Sequence, residues 1–339
     1  MKGTSVKIAV TGVAGFLGSH VAESLINLGH QVIGIDNLIG GYESNVPQGV
    51  DFRNFDLLDL GRTQDSLKDV DYVVHSACTA YEGLSVFSPS LVVANTTQIT
   101  ANVVSASILN KVKKIVYLSS MARYGRQDEL PFVETMNARP QDPYGIAKVA
   151  SEELVKNLCE THGIQYCILV PHNIIGPRQK YDDPYRNVAS IMINRMLQGK
   201  QPIIYGTGEQ QRCFSFIGDV IQPLLSACFN EIAVGKTINI GPDEEFITIN
   251  DLAEKIAKIL NFSLDPIYME GRPQEVLLAN CSANLARKIL GYQTRTSLDE
   301  GLKDLVEWIR KQGAKPFTYH LPLEFVTEKT PRTWSEKLM

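Results

Sequence analysis

Thr11-Gly12-Val13-Ala14-Gly15-Phe16-Leu17-Gly18 decides the fold. It follows a β-rich run at residues 6–10 and opens a helical pattern over residues 15–28, and its glycines stand in the spacing G-x-x-G-x-x-G. Glycine in such a turn lets the backbone approach a pyrophosphate, which then sits on the free N–H groups and positive end of the helix. Asp36 ends the next β-rich run, at residues 32–36. A carboxylate there accepts hydrogen bonds from both hydroxyls of an adenosine ribose and repels a 2′-phosphate, which selects NAD over NADP. Asp56, at the end of a third run, is placed either to bond the adenine amine or to face solvent from a loop.

Working outward, residues 51–56, 72–77, 115–120 and 166–171 continue the β-rich runs, several of them near-continuous Val, Ile and Leu. Strands covered on both faces have that composition. Between them, residues 15–28, 89–110 and 143–162 have helical length and apolar spacing. Alternation of this kind gives βαβ units and a doubly wound parallel sheet, an α/β Rossmann fold. After Gly176 the elements become shorter and rich in Gly and Pro, with helices at 248–260 and at 297–312, where Ser297 and Glu300 form a capping box. The expected division is therefore a cofactor-binding domain over residues 1–175, rejoined by strands within 212–240, and a smaller mixed α/β substrate domain over 176–211 and 241–314. Residues 315–339 form a tail expected to drape over the body.

Composition narrows the function classes. The 339 residues are 44% hydrophobic and 21% charged, which suits a folded chain with a sizeable core. A net charge of −4 gives no general attraction to nucleic acid or to an anionic membrane, though a local cluster of Arg still suits a small anion. The six cysteines, Cys78, Cys159, Cys167, Cys213, Cys228 and Cys281, are scattered without C-x-x-C or nearby His. No metal site or disulfide framework is expected, and a reducing cytoplasm fits best. The start of the chain has neither signal-peptide nor membrane-span character, since Thr11-Gly12 interrupts its apolar run.

The chemistry lies in Tyr144 and Lys148, within Asp142-Pro143-Tyr144-Gly145-Ile146-Ala147-Lys148. At spacing i, i+4 both side chains share one helix face, so the ammonium favours ionisation of the phenol and makes it a base. Leu118-Ser119-Ser120 puts a hydroxyl at the carboxyl edge of the sheet, where open α/β folds bind ligands. Ser120 is thus positioned to hydrogen-bond the oxygen that Tyr144 deprotonates.

With these stretches go His172-Asn173-Ile174-Ile175-Gly176-Pro177-Arg178-Gln179, Arg212-Cys213-Phe214-Ser215-Phe216-Ile217-Gly218-Asp219-Val220 and Asn239-Ile240-Gly241. Together they resemble the extended short-chain dehydrogenases/reductases over residues 6–312, in the branch of NAD-dependent nucleotide-sugar epimerases and dehydratases, and most of all UDP-hexose 4-epimerases. The resemblance implies Ser120, Tyr144 and Lys148 as catalytic residues. It implies a cofactor lining of Gly12, Gly15, Phe16, Leu17, Gly18, Asp36, Asn37, Asp56, Leu57, Ala77, Asn95, Tyr144, Lys148 and Pro171. Met121, Ala122, Asn173, Arg212 and Arg272 are the implied substrate contacts, the two arginines on the diphosphate. It further implies hydride transfer from sugar C4 to NAD and back, and a homodimer paired through the helices at 89–110 and 143–162.

Departures from the family pattern narrow the reaction. Dehydratases of the family carry an Asp-Glu pair directly after the strand-five hydroxyl, where Met121 and Ala122 stand here, and related decarboxylases carry Glu at the second place. Without those groups, water elimination lacks its proton carriers. The 3,5-epimerases place a Cys acid where Ala122 sits; Lys180 is then either a base like theirs or a solvated loop residue. His172 either reads an unusual sugar substituent, together with Glu82, or fills a gap at a strand end. The expected function is a nucleotide-sugar 4-epimerase serving surface polysaccharide precursors, with a C4 oxidoreductase or a non-catalytic NAD-binding scaffold as alternatives.

Overall fold

The computed structural model describes residues 5–339. Seven strands make its main sheet: β1 (Lys7–Thr11), β2 (Gln31–Asp36), β3 (Asp51–Asn54), β4 (Tyr72–His75), β5 (Lys114–Leu118), β6 (Gln165–Pro171) and β7 (Thr237–Ile240). They run in the order β7-β6-β5-β4-β1-β2-β3, with every neighbouring pair parallel. The order reverses beside β1, which opens the crevice between the carboxyl ends of β1 and β4 where doubly wound sheets hold ligands.

Both faces of the sheet are covered. On one, Val21 and Leu25 of the helix Phe16–Asn27 pack with Leu224 and Leu225 of Ile217–Phe229 and Leu290 of Asn284–Leu290. On the other, Val103 and Val104 of Ile99–Leu109 meet Val155 and Cys159 of Pro143–His162. Burying such side chains contributes about 1.5–3 kcal/mol each, which is why these strands read as apolar runs. A separate cluster joins Met192 and Ile193 of Val188–Leu197 to Leu252 and Ile256 of Ile249–Leu260 and to Leu302 and Leu305 of Leu298–Gln312. The expected capping box of Ser297 with Glu300 is formed, and the structure adds a second, Thr248 with Asp251.

Two expectations from the sequence need correction. Of the segment 212–240, only β7 joins the main sheet, beside β6. Gln211–Arg212 instead pairs with Ile247–Thr248 and Leu278–Ala279, and Ser215–Phe216 with Ile174–Ile175. These are two-residue strands, and β7 already occupies the free edge of β6. The helical stretch at 89–110 is also not uniform: a π turn at Ala94–Gln98 separates Pro89–Val93 from Ile99–Leu109. The widened turn carries Asn95 and Thr96 into the protein.

The tail lies on the body. Leu321 and Trp334 are buried with Tyr81, Leu84, Phe87 and Tyr185. Among the described residues no helix is long and apolar enough to cross a membrane.

Candidate active site

The carboxyl ends of β1, β2, β4, β5 and β6 open on a cavity of about 290 Å3. The glycine turn forms one wall. Gly12 has φ of +73°, and a Cβ there would stand 2.9 Å from Ala77 Cα and N, so a side chain fails on both conformation and space. A Cβ at Gly18 would overlap the Gly12 carbonyl. Gly15 begins the helix without a side-chain cap, leaving the first N–H groups for a ligand. Asp36, at the end of β2, accepts N–H bonds from Ala14 (3.0 Å) and Leu38 (2.7 Å). Burial raises its carboxyl, and those N–H bonds pull the other way. Asp56 accepts from Asn37 Nδ2 at 3.0 Å and from the Leu58 N–H at 2.9 Å, which aims Asn37 along the same wall.

All fourteen residues expected at the cofactor line this cavity, including Phe16, Leu17, Leu57, Ala77, Asn95 and Pro171. A glycine cradle that admits no Cβ, a free helix N-terminus and a buried carboxylate ending β2 are a donor and acceptor set that fits a dinucleotide.

Ser120, Tyr144 and Lys148 meet at the inner end of the cavity. Asp142 starts the helix that carries Tyr144 and Lys148, accepting the Gly145 N–H at 2.8 Å, with Pro143 in the first turn. Lys148 Nζ is buried and donates to the Leu118 carbonyl at 2.7 Å, 5.8 Å from the Tyr144 ring centroid. Burial pushes the Tyr144 phenol well above its ordinary value. The Lys148 ammonium and the Ser120 hydroxyl act in the opposite, expected direction but do not outweigh burial. The Ser120 hydroxyl also caps the short turn Met121–Arg123, accepting from Ala122 N at 3.2 Å.

One supporting residue escaped the sequence reading. Glu152, a further turn beyond Lys148, is buried and accepts from Arg123 Nε at 3.0 and 3.1 Å and from the Ser119 hydroxyl. It ties the end of β5 to the catalytic helix. Its signal was the spacing i, i+4, i+8 from Tyr144.

A second cavity, of about 260 Å3, adjoins the first and is lined by Met121, Ala122, Asn173, Arg212 and Arg272, the five expected substrate contacts. Arg272 pairs with Glu275 at 2.7 Å and lies over the Tyr205 ring at 4.9 Å. Arg212 donates to the carbonyls of Val276 (2.6 Å) and Leu277 (3.1 Å). Arg186 also lines both cavities, yet its buried Nε has no partner among the described residues. Sequence reading missed it because it sits in the irregular stretch Asp182-Asp183-Pro184-Tyr185-Arg186, where no period marks a site.

His172 and Lys180 lie elsewhere. The His172 ring is buried, bonds the Pro242 carbonyl at 2.8 Å and presses against Gly241, so it fills the strand-end gap. Lys180 pairs with Asp182 at 3.2 Å and covers Tyr42 at 4.4 Å, outside both cavities.

Comparison with known proteins agrees with this geometry. Residues 8–241 match the model of the NAD dependent epimerase/dehydratase family. A protein of Methanocaldococcus jannaschii, provisionally named a UDP-glucose 4-epimerase, is 35% identical over 90% of this chain and 99% of its own length. The GDP-mannose 3,5-epimerase of Arabidopsis thaliana is 30% identical over 92% of this chain and 84% of its own. Among solved structures, the UDP-glucose 4-epimerase of Thermotoga maritima with UDP-glucose superposes with a TM-score of 0.85, at 32% identity, over 90% of this chain and 99% of that one.

Proposed function

The chain belongs to the NAD dependent epimerase/dehydratase family, and from that premise we propose that it is a nucleotide-sugar 4-epimerase working through a transient 4-keto sugar. The observation that carries this reading is the meeting of Ser120, Tyr144 and Lys148 beside a substrate cavity whose nearest family positions for a further acid or base hold Met121 and Ala122. NAD, held by the Gly12–Gly18 turn, Asp36 and Lys148, would supply a reversible hydride acceptor at C4, so that the ketone can be reduced again on its opposite face. Tyr144, as phenolate, takes the C4 hydroxyl proton and later gives it back to the same oxygen, so no net oxidation results. Ser120 holds that oxygen by a hydrogen bond. Lys148 stabilises the phenolate and would hold the nicotinamide ribose. Arg212 and Arg272 take the diphosphate, exchanging part of their present protein contacts for it.

In the same reading the protein is a cytoplasmic homodimer that supplies precursors of surface polysaccharide. The test is incubation of the purified protein with UDP-hexoses and UDP-N-acetylhexosamines, followed by NMR. A C4 epimer with no free NADH is the expected result. Absence of any epimer defeats the reading, and release of NADH marks a net C4 oxidoreductase instead.

A further inference from the structure

Six residues line both cavities: Ala80, Glu82, Asn173, Ile174, Arg186 and Asn187. They mark the junction at which a sugar reaches the cofactor side. Glu82 is the one anion among them. Its side chain opens onto the cavity, and among the described residues its carboxylate accepts no hydrogen bond and closes no ion pair. Two cations that act on it electrostatically are already engaged, Arg272 with Glu275 and Arg212 with backbone carbonyls. Asp142, the neighbouring acid, caps the catalytic helix. An unengaged carboxylate offers about four acceptor sites and no donor when ionised, and it bonds hydroxyl groups more strongly than a neutral acceptor does.

The loop carrying Glu82 is held from outside by the tail. A Cβ on Gly83 would stand 2.9 Å from the Trp334 ring, so the indole lies flush against the residue next to Glu82. Trp334 is itself fixed by its Nε1 bond to the Pro184 carbonyl at 3.2 Å. Farther along the loop, Ser88 Oγ donates to the Pro322 carbonyl at 2.7 Å. The Glu324 carboxylate takes the N–H groups of Ser90 (3.1 Å) and Leu91 (2.7 Å), at the start of Pro89–Val93. The tail therefore grips the loop at both ends.

We propose that Glu82 reads hydroxyl groups of the sugar, and that the tail, through Trp334, is the wall that holds it at the junction of the two cavities. Glu82 is then a specificity-determining residue and Trp334 a positioning residue. This deepens the 4-epimerase reading and rests on it for the identity of the ligand as a nucleotide sugar.

Calorimetry on the full-length, NAD-loaded protein tests it, using the UDP- or GDP-hexose that binds most tightly and the matching free nucleotide. Glu82→Gln keeps the side-chain shape and removes the charge. Its expected effect is a loss of about ten-fold in affinity for the nucleotide sugar, with the free nucleotide changed less than about two-fold. Trp334→Ala is expected to give the same differential loss, and Trp334→Phe to restore most of it. With 2-deoxy or 3-deoxy sugar nucleotides, the Glu82→Gln penalty should disappear for the one that lacks the hydroxyl being read. Equal losses for sugar nucleotide and free nucleotide, no loss in either, or a penalty that persists in both deoxy compounds overturns the proposal. So does a wild-type protein that binds no nucleotide sugar more tightly than the free nucleotide. The 4-epimerase reading fails separately, if binding depends on Glu82 as stated but no C4 epimer forms.

Discussion

Tyr144 carries the reaction proposed, and its environment sets the conditions under which it acts. Burial favours the neutral phenol, so turnover should rise with pH as the phenolate fraction grows. Lys148 opposes burial, and Lys148→Met should displace that rise to higher pH; a pH–rate profile with unchanged position would remove Lys148 from this role. Tyr144→Phe should lower kcat by about 10^2–10^4-fold while leaving nucleotide-sugar affinity nearly intact, measured by NMR turnover and calorimetry. Asp36→Ser should narrow the preference for NAD over NADP, read as the ratio of the two dissociation constants. These residues were legible in the sequence because their signals are local: a glycine spacing, a strand end, a pair one turn apart. The direction of the Tyr144 shift was not, since burial of its ring comes from the folded surroundings. Nor was the reach of Lys148 to Leu118, which joins residues 30 apart.

The helix Pro143–His162 shows what an element adds to its residues. Tyr144, Lys148 and Glu152 stand on successive turns of one face, and the last anchors β5 through Ser119 and Arg123. Removing one partner of a buried ion pair strands the other, so Glu152→Ala should cost about 3–5 kcal/mol in denaturant unfolding, and a double variant that also replaces Arg123 should recover part of it. The start of the helix is sensitive to pH. Burial, then the neighbouring Glu82, raise the Asp142 carboxyl from 3.8 to about 7. The folded state thus binds this proton more tightly than the unfolded chain, and its contribution to stability is full below pH 3.8 and is lost as pH rises toward 7. Thermal midpoints across that window should fall less steeply for Asp142→Asn, which can still cap the helix. A helix boundary set by a cap was readable in advance, as Ser297 with Glu300 illustrates. The π turn at Ala94–Gln98 and the two-residue strands around Arg212 were not, because they answer to partners far away in the chain.

At the scale of the whole molecule, the face made by Pro89–Val93, Ile99–Leu109 and Pro143–His162 leaves several large apolar side chains in the open. No charged residue lies between Ser90 and Asn110. Leu109 is 65% exposed, Ile146 54% and Val93 40%, although the opposite sides of these helices are packed against the sheet. A helix that is apolar all round is stable only when covered all round, and a second copy laid antiparallel or parallel on this face would cover it. Stable association calls for more than about 1,000 Å2 of buried surface, which two long helices from each copy can supply. Sedimentation velocity should therefore give twice the chain mass at micromolar concentration, with a thermal midpoint that climbs with concentration. Leu109→Asp and Ile146→Asp place a carboxylate in the seam and should shift the protein to monomer. Because Ile146 lies two residues from Tyr144 on the helix that bears it, the monomeric variants should also lose part of kcat, whereas a wild-type protein that sediments as a monomer would show that these side chains are merely solvated and that the site is complete in one chain.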